Sequence, residues 1–429
     1  MNSGDWHTHN WSDHLAYSAA RFHQPTTVAE MQEIVRRAAQ VRVIGSRHCF
    51  NAIADASGDL LWLGRLNQSV VIDQARRTAR VDAGITYEKL CPILTEAGFA
   101  LPNLASLKHI TVIGACTTAT HGSGNALGNL ATAVSEIEMI TPDGELIELT
   151  RERNGDTFRG AVVALGALGV VTRLTLDLEP SFLVQQDNYE QLPLDDVYAH
   201  FDEITAAGYS VSMFLTWQHD WAETTWVKRR VPDLTPVKVP RNLFGATLAS
   251  SQPSGVLPTD RTLTPFARPG LWHQRLPHYA LHDPVGPGNE LQSEYFVPRR
   301  HAVAAIQAVA ALREGLAPIL GLSEIRTIRA DDLWLSSAYG EDSVGLHFNW
   351  LKKWEGVGPF LPVLEQALAP FGVRPHLGKL FAIPATQLEK VHPRWKDFRA
   401  LRQRFDPQGK FANRFVRQLG LMPFGGEML

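Results

Sequence analysis

Short apolar runs alternate with amphipathic segments over the first 178 residues. The capping box Thr27-Val28-Ala29-Glu30 predicts the start of a helix. Its apolar spacing predicts one buried face, made of Val28, Met31, Val35 and Ala38. The run Val41–Ile44 follows directly and predicts a strand that leads into Gly45.

The same alternation continues along this region. Apolar runs predict strands at 70–72 and 81–83, and a helix follows that carries Leu90, Ile93 and Leu94. Residues 137–140 and 146–149 flank the turn sequence Pro142-Asp143-Gly144, which predicts a hairpin. Strands that are linked through helices and strands that are joined by a hairpin therefore occur together, which predicts a mixed sheet in this part of the chain.

The pattern changes after residue 178. A longer strand is predicted at 209–217 and a helix at 303–313, with a proline-rich stretch at 231–287 that predicts a long irregular insertion. From residue 375 the chain becomes dense in Gly, Lys, His and aromatic residues. These textures divide the chain into the segments 1–178, 179–374 and 375–429.

Composition narrows the classes of function. A chain of 429 residues is too long for one ordinary core, and 45% hydrophobic with 20% charged residues is typical of a globular enzyme. The formal net charge of -3 provides no basic field for a nucleic-acid backbone. We therefore expect no nucleic-acid partner.

Cysteine usage and hydropathy indicate the compartment. Cys49, Cys91 and Cys116 are odd in number and widely spaced, which suits a reducing compartment and predicts neither a disulfide framework nor a zinc site. The first ten residues are polar, and no run reaches membrane-spanning length. A cytoplasmic protein without a bound metal or a membrane partner is expected.

Two glycine-rich segments carry the first chemical signal. Gly45-Ser46 ends a predicted strand and could turn backbone N–H groups toward a phosphate, although a single turn of this kind is also a common structural feature. The segment 113–124 consists almost wholly of small and hydroxylated residues, which suits close approach to a large flat ligand with phosphates. No GxGxxG motif follows a strand, which argues against a dinucleotide-binding Rossmann unit.

Several motifs in sequence order then identify a family. They are Gly45-Ser46-Arg47-His48-Cys49-Phe50-Asn51, Ala105-Ser106-Leu107-Lys108-His109-Ile110, Thr120-His121-Gly122-Ser123-Gly124, Ser323-Glu324-Ile325-Arg326-Thr327, His347-Phe348-Asn349-Trp350, Pro375-His376-Leu377-Gly378-Lys379 and 406–413. Together they resemble the vanillyl-alcohol-oxidase superfamily of flavoproteins, and within it the alditol oxidases. The resemblance covers nearly the whole chain.

The resemblance implies an α+β fold of two domains. Residues 1–178 would form the first part of an FAD-binding domain, 179–374 a substrate-binding cap with a mixed or antiparallel sheet, and 375–429 a return to the FAD-binding domain. It also implies a set of cofactor-binding residues: Val43, Ile44, Gly45, Ser46, Arg47, His48, Cys49, Ser106, Thr111, Gly114, Thr117, Thr118, Thr120, His121, Gly122, Ser123, Val170 and His376.

The family pattern makes His48 the covalent attachment point of FAD, with His121 as the competing candidate. Two positions depart from the pattern. Cys49 stands where serine is expected, and a thiol is the weaker hydrogen-bonding group. Leu377 stands where tryptophan is expected, which predicts a smaller pocket wall and leaves the preferred chain length open.

Residue chemistry also suggests a substrate site. Glu324 and Arg326 are two apart in a predicted strand, so both face one side. Such a pair can be a solvated strand face, or it can bind adjacent hydroxyl groups of a polyol through acceptor and donor atoms. By resemblance, Ser106, His347 and Lys379 complete the substrate site.

The implied reaction is oxidation of the terminal CH–OH of a small alditol, such as xylitol or sorbitol, with reduction of oxygen to hydrogen peroxide. His347, Lys379 and Arg326 are the candidate catalytic residues, and which one is the general base stays open. Ala105 matches the residue at the flavin rim, which leaves oxidase or dehydrogenase reactivity open. A monomer is expected.

Three alternatives compete with this function. An aldonolactone oxidase or dehydrogenase of the same superfamily would share the FAD segments, but the pair Glu324 and Arg326 favours a polyol. A flavin-bearing sugar-binding protein would bind without turnover, and peroxide release with xylitol would exclude it. An NAD-linked polyol dehydrogenase is disfavoured by the lack of GxGxxG.

Overall fold

The computed structural model describes residues 8–250, 263–279 and 288–422. Up to residue 178 its strands are β1 Arg21–His23, β2 Val41–Ile44, β3 Asp59–Trp62, β4 Val70–Asp73, β5 Thr78–Asp82, β6 Phe99–Ala100, β7 Val134–Ile140, β8 Leu146–Thr150 and β9 Val170–Asp177. The helices of this part are α1 Val28–Arg37, α2 Tyr87–Glu96, α3 Val112–Thr117 and α4 Arg151–Val162.

The predicted helix start at residue 27 is confirmed. Thr27 is the N-cap of α1, and its side-chain oxygen accepts from the backbone N–H of Glu30. The Glu30 carboxylate in turn accepts from the backbone N–H of Thr26, one residue before the N-cap. Met31 and Val35 are fully buried, as the apolar spacing predicts.

The expected mixed sheet is instead two separate sheets. The parallel strands form one sheet, in the order β1-β3-β2, and the antiparallel strands form another, in the order β4-β5-β9-β7-β8. Strand direction depends on partners that are distant in sequence, so apolar patterning alone does not decide it. The predicted hairpin is present as β7 and β8.

The rest of the described chain contains one large antiparallel sheet together with helices that pack on it or follow it. Its elements are β10 Glu179–Pro180, β11 Leu183–Pro193, α5 Leu194–Thr205, β12 Ser210–Leu215, β13 Trp221–Val231, β14 Asn242–Leu243, β15 Ala246–Leu248, β16 Gly270–Leu271, α6 Trp272–Arg275, β17 Glu290–Pro298, α7 Ala302–Ala310, α8 Arg313–Leu316, β18 Leu320–Ile328, β19 Ser343–Leu351, α9 Trp354–Leu368, β20 Arg374–Pro375, α10 Ala385–Val391, α11 Trp395–Phe405 and α12 Arg414–Gln418. The strand order is β14-β15-β11-β13-β12-β18-β19-β17-β20, β16 also pairs with β11, and β10 pairs with β6.

Strand alternation gives this sheet two different faces. Along β19 the residues Val344, Leu346, Phe348 and Trp350 belong to the hydrophobic core, and Trp350 contacts Phe360 of α9 at 6.0 Å between ring centroids. The residues between them, His347 and Asn349, face a cleft. One face of the sheet is therefore covered by helices, and the other presents polar side chains.

The C-terminal residues pack against the N-terminal part of the chain. The backbone N–H of Val41 donates to Lys410 O at 2.9 Å, and that of Phe50 donates to Gly378 O at 2.9 Å. Lys410 Nζ donates to the carbonyl of Val35 at the end of α1 at 2.8 Å. Segments more than 300 residues apart thus share one structural unit.

A few predictions from the pattern differ from the structure. Ile93 is 40% exposed, because the buried face of α2 centres on Leu90, Cys91 and Leu94. The helix expected at 303–313 is divided into α7 and α8. Of the insertion at 231–287, residues 251–262 and 280–287 lie outside the described residues. Among the helices that are described, none is long and apolar enough to cross a membrane.

Candidate active site

A long cleft runs from the end of β2 to the polar face of the large sheet. It gathers most of the residues singled out in the sequence: Val43, Ile44, Gly45, Ser46, Arg47, His48, Cys49, Ala105, Ser106, Thr111, Gly114, Thr117, Thr118, Thr120, His121, Val170, Glu324, Arg326, His347, His376 and Lys379. The glycine-rich segments therefore lie at one end of the cleft and the charged residues at the other.

The glycine-rich end is built by close backbone packing. A Cβ on Gly45 would lie 2.3 Å from the Thr111 hydroxyl, and a Cβ on Gly114 would lie 2.6 Å from the same atom. Neither position has room for a larger residue. The loop after β2 and the start of α3 therefore present backbone and hydroxyl groups to the cleft.

A buried arginine holds this end together. Arg42 of β2 is 4% exposed, and its guanidinium donates to the carbonyls of Gly166, Phe411, Leu165 and Ile53. The bonds to Gly166 and Phe411 are 2.8 and 2.7 Å long. One side chain thus connects the first strand of the cleft wall to residues from two distant parts of the chain.

His48 lies in the cleft wall with its ring held on several sides. Its Nδ1 is 2.9 Å from Ser46 O, and its Nε2 is 3.0 Å from Nε2 of His109. The Trp11 indole stacks on the imidazole, with ring centroids 4.8 Å apart. The sequence placed no N-terminal residue at the site, so this contact was missed.

His121 faces a different part of the cleft. It is 3% exposed, its Nδ1 is 2.7 Å from Gly122 O, and its Nε2 is 3.1 Å from Glu294 Oε1. Burial lowers the pKa of His121, so its ring is neutral at neutral pH. The two histidines weighed for flavin attachment therefore have different surroundings.

The polar face of the large sheet is organised by strand register. Phe214 of β12 pairs with Glu324 of β18, Glu324 pairs with His347 of β19, and His347 pairs with Glu294 of β17. Paired residues on neighbouring strands point to the same side. This row brings three polar side chains from distant segments into one wall of the cleft.

Glu294 is the centre of the charged residues. Its side chain is fully buried, and its carboxylate accepts from Arg326 at 2.6 Å and from Lys379 Nζ at 2.8 Å. His121 and His347 lie 3.1 and 3.5 Å from the carboxylate oxygens. We call these five residues the Glu294 cluster.

The charges of the Glu294 cluster follow from its neighbours. Burial alone would raise the pKa of Glu294, but Arg326 and Lys379 hold it well below its ordinary value. Burial lowers the pKa of Lys379, partly offset by Glu294. Burial and the nearby Lys379 lower the pKa of His347. At neutral pH the carboxylate is therefore ionised and the His347 ring is neutral.

Hydrogen bonds specify the tautomer of His347. Lys379 Nζ donates to its Nδ1 at 2.8 Å, and its Nε2 lies 2.7 Å from Oδ1 of Asn349. An ammonium can only donate, so the proton of the ring is on Nε2, which donates to Asn349. The Nδ1 lone pair therefore faces Lys379 and the cleft.

Glu324 is a buried carboxylate with an unused acceptor. It is 4% exposed, and its Oε1 has no hydrogen-bond partner among the residues that the structure describes. Its nearest charged neighbour is Arg326, with Oε2 and Nε 3.6 Å apart. A buried acceptor without a partner is costly, so this atom is suited to accept from a bound ligand.

Three residues singled out in the sequence lie outside the cleft. Gly122 packs directly against Asn103, and a Cβ on Gly122 would lie 2.2 Å from Asn103 Oδ1. The Ser123 hydroxyl donates to Val211 O of β12. Leu377 is 2% exposed in the hydrophobic core, so the expectation of a smaller pocket wall at this position is wrong.

Several cleft residues were missed by sequence reasoning. Glu294, Asn349 and His278 all line the cleft. Glu294 stands in Gln292-Ser293-Glu294-Tyr295, where alternation would place Gln292 and Glu294 on one strand face. This alternation of strand faces was the feature of the sequence that could have identified Glu294. Cys49 also lines the cleft, and burial raises the pKa of its thiol to about 11, so it is uncharged.

Comparison with known proteins is consistent with this arrangement. Residues 19–150 match the FAD binding domain family, and residues 289–419 match the D-arabinono-1,4-lactone oxidase family. The chain is 43% identical to an alditol oxidase of a Streptomyces species over 418 residues, which cover 96% of this chain and 98% of the relative. It is 27% identical to an L-gulono-1,4-lactone dehydrogenase of Mycobacterium tuberculosis, with coverage of 96% and 98%.

A solved structure shares the fold. Cholesterol oxidase from B. sterolicum superimposes with a TM-score of 0.77 over 96% of both chains, at 14% sequence identity. Identity this low supports the fold alone. The 43% identity over nearly the whole length shows the family. The chain therefore belongs to the alditol oxidase family, within the vanillyl-alcohol-oxidase superfamily of flavoproteins.

Proposed function

We propose that this protein is an FAD-dependent alditol oxidase. It oxidises the terminal CH–OH of small polyols such as xylitol and sorbitol to the aldose, and oxygen is reduced to hydrogen peroxide. The observation that carries this proposal is the polar row on the large sheet, where a buried acceptor on Glu324 lies beside the donors of Arg326. Adjacent donors and acceptors of this kind match adjacent hydroxyl groups.

The cofactor fits the glycine-rich end of the cleft. The absence of space for side chains at Gly45 and Gly114 leaves backbone to contact the pyrophosphate, while Val43, Ile44 and Val170 provide apolar surface. When bound, FAD supplies the acceptor of the hydride. We assign the predicted cofactor-binding residues that line the cleft to this role, and Gly122 and Ser123 to support of the loop around them.

We further propose that FAD is joined covalently to His48. The ring borders the cleft, and its contacts with Trp11 and His109 fix its orientation. His48→Ala should fold but release its flavin on acid precipitation, whereas the control His121→Ala should keep colour in the pellet. Colour retained in the His48→Ala pellet would show that attachment lies elsewhere.

The substrate would be oriented between the Glu294 cluster and Glu324. Lys379 has a third N–H available beyond those to Glu294 and His347, and we assign it to the reacting hydroxyl oxygen. The neutral Nδ1 of His347 would accept the hydroxyl proton once the Lys379 N–H that now donates to it turns to the substrate oxygen. Arg326 and Lys379 would stabilise the developing alkoxide. Ser106, 3.5 Å from Arg326, would contact the polyol.

The second candidate function is oxidation of an aldonolactone, which the match of residues 289–419 to D-arabinono-1,4-lactone oxidase favours. Glu324→Gln tests the polyol anchor that favours the first function over the second. Hydrogen bonds to a charged group contribute about 1.5 to 3 kcal/mol, so kcat/KM for xylitol should fall roughly ten- to a hundred-fold. A mono-alcohol should show little change. Equal losses for both substrates, with flavin content unchanged, would exclude Glu324 as the polyol anchor.

We propose that the two ends of the chain form the FAD-binding domain, from residues 1–178 and 375–429, and that 179–374 form the cap. The hydrogen bonds of Val41 and Phe50 to the C-terminal segment support this division. A stable FAD-binding fragment that ends near residue 178 would contradict it. A monomer in the cytoplasm remains our prediction for its state and location.

A further inference from the structure

A fully buried lysine lies beside the substrate end of the cleft without a role in the proposed reaction. Lys228 of β13 is 2% exposed, and its Nζ donates to the carbonyls of Leu276 and Pro277, the latter at 3.3 Å. Burial lowers its pKa to about 7. Burying an ammonium group is costly, and the two carbonyls that offset this cost directly precede His278 in the chain.

The residue that follows these carbonyls is His278. Its backbone N–H donates to Ser106 O at 3.1 Å, and its ring lies between Phe214 and Trp226, at centroid distances of 5.5 and 5.2 Å. The ring lines the same cleft as the Glu294 cluster. The position and the orientation of the imidazole are thus both fixed.

His278 faces the unused acceptor on Glu324. Its Nε2 is 3.4 Å from Glu324 Oε1, longer than a good hydrogen bond between them. Burial, with Lys228 and Arg326 nearby, lowers the pKa of His278 well below its ordinary value, so the ring is neutral. A neutral imidazole has one donor and one acceptor nitrogen. A hydroxyl group could therefore bind Glu324 and His278 at the same time.

We propose that His278 is a substrate-binding residue that, with Glu324 Oε1, binds a polyol hydroxyl beyond the one adjacent to the reacting carbon. Lys228 is then a positioning residue that holds the turn carrying His278. This inference rests on the proposed function, because it assigns the far end of the same substrate site. It makes His278 a determinant of selectivity for substrates with hydroxyl groups beyond the second carbon.

Strand order supports the placement along the substrate. His347 and Phe214 flank Glu324 on opposite sides, and His278 contacts Phe214. His278 therefore lies on the side away from the proposed reacting end. Neighbouring strands are about 4.8 Å apart, roughly three C–C bond lengths, which favours binding at His278 of a hydroxyl further along the substrate than the one next to the reacting carbon.

Two substrates of equal carbon number test this assignment: erythritol and butane-1,2-diol. Only erythritol has hydroxyl groups beyond the second carbon. In His278→Phe, kcat/KM for erythritol should fall about ten-fold, mostly through KM, while that for butane-1,2-diol stays close to wild type. His278→Gln places an amide near the former Nε2 and should recover most of the loss.

His273→Phe is the matched control. His273 is a buried histidine of α6 that contacts Trp272 and is not among the residues lining the cleft. It should leave the ratio of the two kcat/KM values unchanged. Equal losses on both substrates in His278→Phe, or an unchanged ratio, would overturn the assignment. Failure of the wild type to oxidise erythritol or xylitol would instead contradict the proposed function.

Discussion

Replacing Glu294 by glutamine should move the alkaline limit of activity toward neutral pH. The substitution keeps the shape of the side chain but removes its charge. Glu294 lies 2.8 Å from Lys379 Nζ, and it opposes the effect of burial on the Lys379 pKa. Without the carboxylate, the buried ammonium keeps the cost of burial and loses its main counter-charge.

The size of the effect follows from Coulomb's law. At 2.8 Å and an effective dielectric constant of about 20, the pair interacts by about 6 kcal/mol. If relaxation and the remaining hydrogen bond offset half of this, the Lys379 pKa still falls by about two units, since one unit corresponds to about 1.4 kcal/mol. Breaking a buried pair also destabilises the fold, by about 3 to 5 kcal/mol.

The assay is the pH profile of kcat/KM with xylitol, measured at temperatures where both proteins are folded. Lys379 must be protonated to donate to the reacting oxygen, so the alkaline limb should move down by about two pH units. Glu365→Gln is the control: this buried carboxyl contacts Tyr295 on the helix-covered side of β17, and burial raises its pKa to about 7. It should leave the limb in place.

The prediction is wrong if the alkaline limbs of the pH profiles of Glu294→Gln and the wild type coincide. That result would mean that the charge of Lys379 does not depend on Glu294 or is not needed for the reaction. An equal shift of the alkaline limb in Glu365→Gln would mean that the loss of any buried carboxylate produces the effect.

Three further outcomes are expected. The acid limb of wild-type kcat/KM should lie below the ordinary histidine pKa of about 6.5, because His347 must be neutral to accept a proton and burial lowers its pKa. An acid limb above pH 6.5 would contradict this. Arg42→Met should lower the urea-unfolding free energy by at least about 3 kcal/mol, since it removes the donor to three carbonyls, those of Leu165, Gly166 and Phe411, while Ile53 O keeps its bond from Asn413. Arg404→Met at the exposed surface should change it by less than about 0.5 kcal/mol. Gly45→Ala should lower flavin content through the clash with Thr111, and Thr111→Ala in the same chain should restore part of it; an unchanged flavin content in Gly45→Ala would contradict the close packing.

Local features of the fold could be predicted from the sequence. The start of α1 at Thr27, the strand β2 and the hairpin of β7 and β8 each depend on residues within a few positions of one another. The division into two sheets could not be predicted in the same way. It depends on which strands pair, and β5 pairs with β9, which lies almost a hundred residues away.

The same limit applies to the site. The period of two placed Glu324 and Arg326 on one strand face, and the family motifs supplied His347 and Lys379. Glu294 was missed because its partners arrive through the register of β17 with β19 and through the segment that carries Lys379. The sequence of β17 alone does not indicate that two cations, Arg326 and Lys379, contact Glu294. A charge cluster of this kind becomes visible only when the sheet is assembled.

The stoichiometry of hydrogen peroxide with xylitol distinguishes an alditol oxidase from a lactone oxidase or a dehydrogenase. Purified protein with its flavin is incubated with a limiting amount of xylitol in air, and peroxide and aldose are both quantified. An alditol oxidase should form about one peroxide for each aldose, because the two electrons of the CH–OH group pass to one oxygen molecule. Oxidation of an aldonolactone without turnover of xylitol, or turnover of xylitol only with an artificial electron acceptor, would contradict it.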